Sequence, residues 1–143
     1  MGEPSPDIAV TVLGSGTCVP SLARGSCSIL VETGGRQWLI DSGAGTLRRL
    51  LEAGTTIGRL SYLLYSHLHP DHTADLVPLL FATKYPDGIT RSEPLTIVAG
   101  QGFADFLQGL RSVYGHWIDI GSEMLKVVEM STAGSDHVRL AGA

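Results

Sequence analysis

The chain has 143 residues, of which 43% are hydrophobic and 17% are charged, and its formal net charge is −4. This composition is that of one globular domain, and the scattered Lys and Arg residues argue against a dedicated nucleic-acid-binding protein, although they leave room for a local basic cleft. No apolar run nears the roughly 20 residues of a membrane span, and the start "MGEPSPDIAV" does not resemble a signal peptide, so we expect a cytoplasmic protein with no membrane partner.

The first half of the chain predicts three strands, a helix and a fourth strand. Alternating β-branched residues predict the strands, and glycine-rich runs predict the loops between them. Leu47, Leu50 and Leu51 share one face at helical spacing. The predicted elements are strands at 7–14, 26–32 and 36–41, a helix at 46–54 and a strand at 59–66. Neither Cys18 nor Cys27 belongs to a Cys-x-x-Cys pair, so both are expected to be reduced thiols.

Helices and strands alternate in the second half. Pro78 is expected to bend or shorten the first of these helices, because proline cannot donate a backbone hydrogen bond. Phe103, Phe106, Leu107 and Leu110 are expected to face inward from the second. The predicted elements are helices at 71–85 and 102–115 and strands at 94–100, 123–131 and 136–142. The chain as a whole therefore predicts one layered α/β or α+β domain over residues 1–143.

One short stretch, "LLYSHLHPDHTADL" at 63–76, holds three of the five histidines of the chain. His67 and His69 are two residues apart, and this spacing directs both rings to one side of an extended segment. They directly follow a predicted buried strand, and ligands collect in crevices at strand ends. Pro70 suits the first turn of a following helix, which would also carry Asp71 and His72.

Imidazole and carboxylate groups in this arrangement predict a metal site. They suit Zn²⁺, and also Mn²⁺ or Fe. Adjacent Asp71 and His72 are expected to diverge from the other pair, so we predict two ions, one on His67 and His69 and one on Asp71 and His72. Two other interpretations are chance clustering and a pH-sensing histidine group, although the latter does not require the aspartate. His116 and His137 stand alone, and neither is expected to be a ligand.

The segment "SHLHPDH" resembles the His-x-His-x-Asp-His signature of the metallo-β-lactamase fold superfamily. The stretch "TVLGSGTCVPSLARGSCSILVETGGRQWLIDSGAGTLRRL" is similar to the opening of its ribonuclease Z-like branch, and "PLTIVAGQGFADFLQGL" is similar to the strand and helix after the motif. Gly14 and Gly16 match the loop that passes beside the site in that branch. The resemblance covers most of residues 8–130 and implies an αββα sandwich.

The resemblance also implies roles for single residues. His67 and His69 match ligands of the first metal ion, and Asp71 and His72 match ligands of the second. Asp71 would be the catalytic residue as well, because it would handle the proton of the attacking hydroxide. Asp41 matches an acidic residue that supports the site, with a role in holding a ligand imidazole.

The chain departs from the family pattern in its last part. The family completes its site with a further His, a bridging Asp and a final His, whereas only His137 follows Met130 here. "STAGSDHVRL" does not resemble the segment that bears the next family ligand, and neither an Asp nor a His follows this segment in the sequence. We therefore expect these residues to be the N-terminal portion of the αββα sandwich, truncated relative to the complete domain.

Three functions follow as hypotheses. The first is a metal-dependent hydrolase, with two zinc ions in the complete domain, in which a metal-bound hydroxide attacks a phosphodiester or related ester of a small-molecule or nucleotide-like substrate. The second is a non-catalytic fragment or self-associating half-domain, because a half-sandwich exposes one apolar sheet face and is expected to form a homodimer. The third and weaker alternative is a metal-dependent oxidoreductase on the same fold.

Overall fold

The computed structural model describes residues 7–140, which form a six-stranded mixed sheet with helices on one face. The strands lie side by side in chain order and are β1 (Ala9–Gly14), β2 (Ser28–Thr33), β3 (Arg36–Ile40), β4 (Leu60–Leu64), β5 (Leu95–Gly100) and β6 (Leu125–Met130). The helices are α1 (Thr46–Glu52), α2 (Pro70–Thr73), α3 (Leu76–Lys84) and α4 (Phe103–Tyr114). Across residues 7–140, no helix combines the length and the apolar character needed to span a bilayer.

The sheet changes from antiparallel to parallel along the chain. β1, β2 and β3 pair antiparallel, and the turn at Gly34 and Gly35 joins the last two. Both glycines have positive φ, which glycine adopts without steric cost. β3, β4, β5 and β6 then pair parallel through crossovers. The carboxyl ends of these four strands therefore meet at one edge, where the loops that follow them can share a site.

The hydrophobic core lies between the helices and one sheet face. Leucines at successive sheet positions supply the strand side, and Phe103 and Leu107 of α4 supply part of the helix side. Phe106 and Leu110 pack against this core while partly exposed, so the predicted inward face of α4 is confirmed. The strand members of the core include Leu13, Leu30, Leu39, Leu63 and Ile97.

The opposite sheet face also carries apolar side chains, and at the β1 end of this face the described residues leave them exposed. Val10 and Val12 of β1 are each 63% exposed. Towards the middle of this face, the rings of Trp38 and Tyr62 lie 4.2 Å apart, centroid to centroid. Residues 138–140 line the same cavity as Tyr62 and therefore cover only part of the face.

Every predicted element up to residue 66 is present, although the bounds differ by a few residues. The helix predicted at 71–85 is wrong as a single element, because it is divided between α2 and α3. The N–H of Asp75 donates to the carbonyl of Ser42 at 2.9 Å instead of to the preceding helical turn. Pro78 is the third residue of α3, where its missing N–H has no intrahelical partner to lose.

The strand predicted at 136–142 is also wrong, since residues 136–140 form no strand and 141–142 lie outside the described residues. The carboxylate of Asp136 explains this local fold. It accepts the N–H of Ser131 and the N–H of His137, each at 2.8 Å. These bonds close a turn after β6, and they occupy backbone donors that a strand would need for pairing.

Candidate metal centre

The candidate centre lies at the carboxyl edge of β3 and β4. Asp41 directly follows β3, and Ser66 and His67 follow β4. His69 then precedes α2, with Pro70 at the first helical position as the sequence predicts. The N–H groups of His72 and Thr73 both donate to the carbonyl of His69, which closes the single turn of α2.

The backbone of Asp41 is held in an unusual conformation. Its φ of 59° is the only positive value among the non-glycine residues that the structure describes, and Asp tolerates this region better than most residues. Its N–H donates to the carbonyl of Leu64 at 2.8 Å, and its carbonyl accepts the hydroxyl of Ser28 at 2.9 Å. The turn therefore directs a buried carboxylate towards the loop after β4.

The carboxylate of Asp41 organises the residues around it. Oδ1 accepts the N–H of Ser66 at 2.9 Å, and Oδ2 accepts the Ser66 hydroxyl at 2.8 Å. Oδ2 also lies 2.8 Å from Nδ1 of His72. This contact places Asp41 where the sequence analysis predicts a residue that holds a ligand imidazole.

The same contacts indicate which ring nitrogens face outward. A carboxylate only accepts hydrogen bonds, so His72 donates from Nδ1 and its Nε2 keeps a free lone pair. Because the Ser66 hydroxyl donates to Asp41, its oxygen can accept a hydrogen bond from the Nδ1–H of His67, 3.0 Å away. His67 then also presents Nε2 with a free lone pair. Both imidazoles are therefore prepared to bind a cation.

The three histidine rings form one compact cluster. The ring centroid of His67 lies 4.5 Å from that of His69 and 4.0 Å from that of His72. Donor atoms of His67, His69 and Asp71 all lie within 4.8 Å of one another, and Oδ2 of Asp71 lies 3.6 Å from Nε2 of His72. Asp71 thus lies between the other groups, whereas the sequence analysis pairs it with His72 alone.

A second group of donors involves a residue that the sequence analysis sets aside. Cys27, Asp41 and His72 offer donor atoms within 4.8 Å of one another. Burial raises the pKa of the Cys27 thiol, and the nearby charges of Asp41 and Asp71 raise it further. The signal for this proximity is in the hairpin, because Ile29 pairs with Ile40 and two more residues place Cys27 opposite Ser42.

Tight packing behind the site fixes these segments relative to one another. Gly43 donates its N–H to the carbonyl of Cys27 at 3.1 Å. A Cβ at this position would lie 2.3 Å from the carbonyl oxygen of Asp71 and 2.5 Å from Cβ of Ser26, which only glycine avoids. The N–H of Ser42 donates to the carbonyl of His72 at 2.7 Å. The loop after β3 therefore supports α2 directly.

Four other residues considered in the sequence analysis, His116, His137, Gly14 and Gly16, lie outside the two donor groups. Neither His116 nor His137 belongs to a donor group within residues 7–140. Gly14 and Gly16 lie beside the hairpin, and a Cβ at Gly14 would lie 1.8 Å from the carbonyl oxygen of Ser26. Their place beside β2 agrees with a loop that passes close to the site.

Comparison with known proteins agrees with this geometry. The sequence profile of the Metallo-beta-lactamase superfamily matches residues 23–125. A ribonuclease Z of Mycobacterium sp. (strain KMS) is 40% identical over 114 residues, which are 80% of this chain and 39% of the relative. A ribonuclease Z of Mycobacterium avium (strain 104) is 34% identical over 136 residues, which are 92% of this chain and 46% of the relative.

A solved structure shows the same relationship. The crystal structure of human tRNase Z, short form, superposes with a TM-score of 0.70 and 29% identity, over 85% of this chain and 44% of that one. The chain thus spans less than half the length of these relatives. The profile match covers more than half of the chain and includes both donor groups. The chain therefore belongs to the metallo-beta-lactamase superfamily, has ribonuclease Z relatives, and corresponds to the N-terminal part of their domain.

Proposed function

We propose that this chain carries the first metal-binding half of a metal-dependent hydrolase that cleaves phosphodiester bonds in RNA. The observation that carries the proposal is the convergence of His67, His69 and Asp71 within 4.8 Å, beside a His72 ring that Asp41 orients. The ribonuclease Z relatives support the choice of RNA, because they match most of this chain.

The donor set fits divalent transition ions. Imidazole nitrogens and carboxylate oxygens are ligands of Zn²⁺, and Mn²⁺ or iron also accept them. When bound, such ions lower the pKa of water and neutralise charge that develops on a phosphodiester. We assign His67, His69 and Asp71 to one side of the centre and His72 to the other, with Zn²⁺ as the preferred ion.

Asp71 is the residue that we assign to proton transfer. It lies in the first turn of α2, and its side chain remains 23% exposed. Its carboxylate belongs to the same donor group as His67 and His69, and its Oδ2 also lies 3.6 Å from Nε2 of His72. A carboxylate in this position can accept a proton from an attacking water while the imidazoles around it stay fixed.

The bound cations also reconcile the proposal with the charge of the chain. The net charge of −4 is unfavourable for binding a polyanion. Divalent ions bound at the histidine cluster would make the local charge positive, at the place where a phosphodiester would bind. We therefore expect RNA binding to this chain to depend on metal more strongly than on its Lys and Arg residues.

A second candidate function is self-association without catalysis. It is favoured by the open face at Val10 and Val12. On this hypothesis the 143 residues bind metal but do not hydrolyse RNA. The two candidates share the metal centre and differ in whether it turns over substrate.

The test combines metal binding with hydrolysis by the 143-residue chain. Zn²⁺, Mn²⁺ and Co²⁺ binding is measured by calorimetry, and cleavage is measured on a transfer RNA transcript and on bis(p-nitrophenyl) phosphate. Metal-dependent cleavage of the transcript supports the proposal. Metal binding without cleavage of either substrate is also expected of a half-centre, so the second candidate requires in addition a dimer in analytical ultracentrifugation. Absence of metal binding contradicts both candidates. A preference for redox-active iron would favour the oxidoreductase hypothesis.

A further inference from the structure

Cys27 lies at the metal centre although no part of the histidine signature includes it. It precedes β2, and the antiparallel register of the β2–β3 hairpin brings it opposite the turn that holds Asp41. The Gly43 N–H binds the Cys27 carbonyl and fixes this position. The sulfur is therefore within 4.8 Å of a carboxylate oxygen of Asp41 and a ring nitrogen of His72 because of the fold itself.

The surroundings of the sulfur favour a cation. Its neighbours Ser26 and Ser28 are buried, while Cys27 itself is only partly buried. Burial raises the pKa of the thiol, and the charges of Asp41 and Asp71 raise it further, so a bound cation would have to displace the thiol proton. The geometry nevertheless places the sulfur beside a carboxylate oxygen and an imidazole nitrogen, whereas a thiol that only fills space lies among apolar groups.

Cys18 gives the contrast within the same chain. It lies in the exposed loop between β1 and β2 and joins neither donor group. The two cysteines are nine residues apart, yet only Cys27 meets histidine and carboxylate donors. Of the two cysteines, only Cys27 therefore lies beside the candidate metal ligands.

We propose that Cys27 Sγ is a ligand of the ion on the His72 side of the centre. The inference rests on the proposed metal centre and adds a sulfur donor to it. In the binding step the S–H bond breaks, the sulfur–metal bond forms and the proton passes to solvent, so no oxidant or reductant takes part. Asp41 keeps its role of holding the imidazole.

A thiolate ligand has a consequence for metal choice. Sulfur donors favour Zn²⁺ and disfavour Mn²⁺, which prefers oxygen. The His72 side of the centre would therefore be selective for zinc, while His67, His69 and Asp71 accept either ion. Removal of the sulfur should narrow the difference in affinity between the two metals.

The test is Co²⁺ absorption by the 143-residue chain. Bound cobalt gives visible d–d bands whatever its ligands, and a cobalt–thiolate bond adds a charge-transfer band in the near ultraviolet. We expect both bands in the wild type and in Cys18→Ser, and only the visible bands in Cys27→Ser. Zinc affinity on the His72 side of the centre should fall at least about tenfold in Cys27→Ser. Loss of a residue that only orients a ligand already costs about 10–100-fold in metal affinity.

Alkylation provides a second measurement on the unmodified sequence. At an alkaline pH that offsets the raised pKa of its thiol, Cys27 should be modified by iodoacetamide in metal-free protein, and Zn²⁺ should protect it while Cys18 stays reactive. Visible bands with no near-ultraviolet band, or complete alkylation of Cys27 both with and without zinc, would overturn the sulfur ligand and leave the metal centre intact. Absence of any cobalt spectrum would overturn both.

Discussion

Oδ2 of Asp41 lies 2.8 Å from Nδ1 of His72, although 31 residues separate them in the chain. The same oxygen accepts the hydroxyl of Ser66, so one buried carboxylate orders both the loop after β4 and the ring at the end of α2. This relationship prepares the imidazoles before any ion arrives, which reduces the reorganisation that metal binding requires.

Replacement of Asp41 by Asn should weaken metal binding while the fold persists. Asn tolerates the positive φ of this position, but its neutral amide is a weaker acceptor for His72. Zinc affinity should fall about 10–100-fold, measured by competition with a chelating dye. Asp87→Asn, at an exposed position, serves as the control. Equal affinities in the two variants would contradict the role assigned to Asp41.

Ser66→Ala should have a similar but separate effect. The substitution removes the hydroxyl that donates to Asp41 and that lies 3.0 Å from Nδ1 of His67. We expect metal affinity to fall by about tenfold or more, because the ring of His67 loses its partner. The exposed Ser92→Ala is the matched control in the same titration. An unchanged affinity would show that Ser66 does not orient the ligand.

A comparison of His69→Ala with His137→Ala should distinguish a metal ligand from a histidine outside the centre. His69 contributes a donor atom to the first group, so its removal should lower the metal content of the chain. His137 joins neither group and should have little effect. Metal analysis of the two purified variants measures both. Normal metal content in His69→Ala would refute the assignment of the site.

Asp75→Ala should destabilise the fold without a direct effect on metal ligands. The carboxylate accepts the N–H of Gly45 at 3.2 Å and that of Leu47 at 3.0 Å, so it caps α1 from a distant segment. Loss of a helix cap costs about 0.5–2 kcal/mol. Urea unfolding measures the difference, with Asp87→Ala as the control. Identical unfolding midpoints for the two variants would contradict the capping role.

The open sheet face should decide the association state. We expect the chain to form a homodimer through the face of Val10 and Val12, because each side chain exposes 63% of its surface. The double substitution of both valines by Lys should shift the chain to a monomer in analytical ultracentrifugation. Val113→Lys alters a valine on α4 that is 76% exposed, and it should leave the association state unchanged. A monomeric wild type would contradict this prediction.

Much of the fold follows from local patterns. Strand-like residues between glycine turns predict β1 to β4, and helical spacing predicts α1 and the buried face of α4. The break after α2 was not predictable from its own residues, because it depends on the bond from Asp75 to the carbonyl of Ser42. Likewise, residues 136–140 depart from their strand-like sequence because the Asp136 carboxylate closes a turn.

The candidate site divides in the same way. The histidine spacing predicts that His67 and His69 lie together, but it pairs Asp71 with His72, whereas the fold brings Asp71 to the other two histidines. The role of Asp41 in holding a ligand imidazole came from resemblance, and the structure identifies that imidazole as the ring of His72. Nothing local to either residue predicts this contact. Cys27 was missed because a single cysteine carries no spacing signal, and only the hairpin register brings it to the centre.

The packing of Gly43 has a consequence for how this chain can change. Its missing side chain leaves room for the carbonyl of Asp71, the side chain of Ser26 and the carbonyl of Cys27 at the same point. Any larger residue would separate all three segments together. The hairpin, the turn after β3 and the histidine loop therefore cannot drift independently during evolution, and an insertion in one of them must be compensated in the other two.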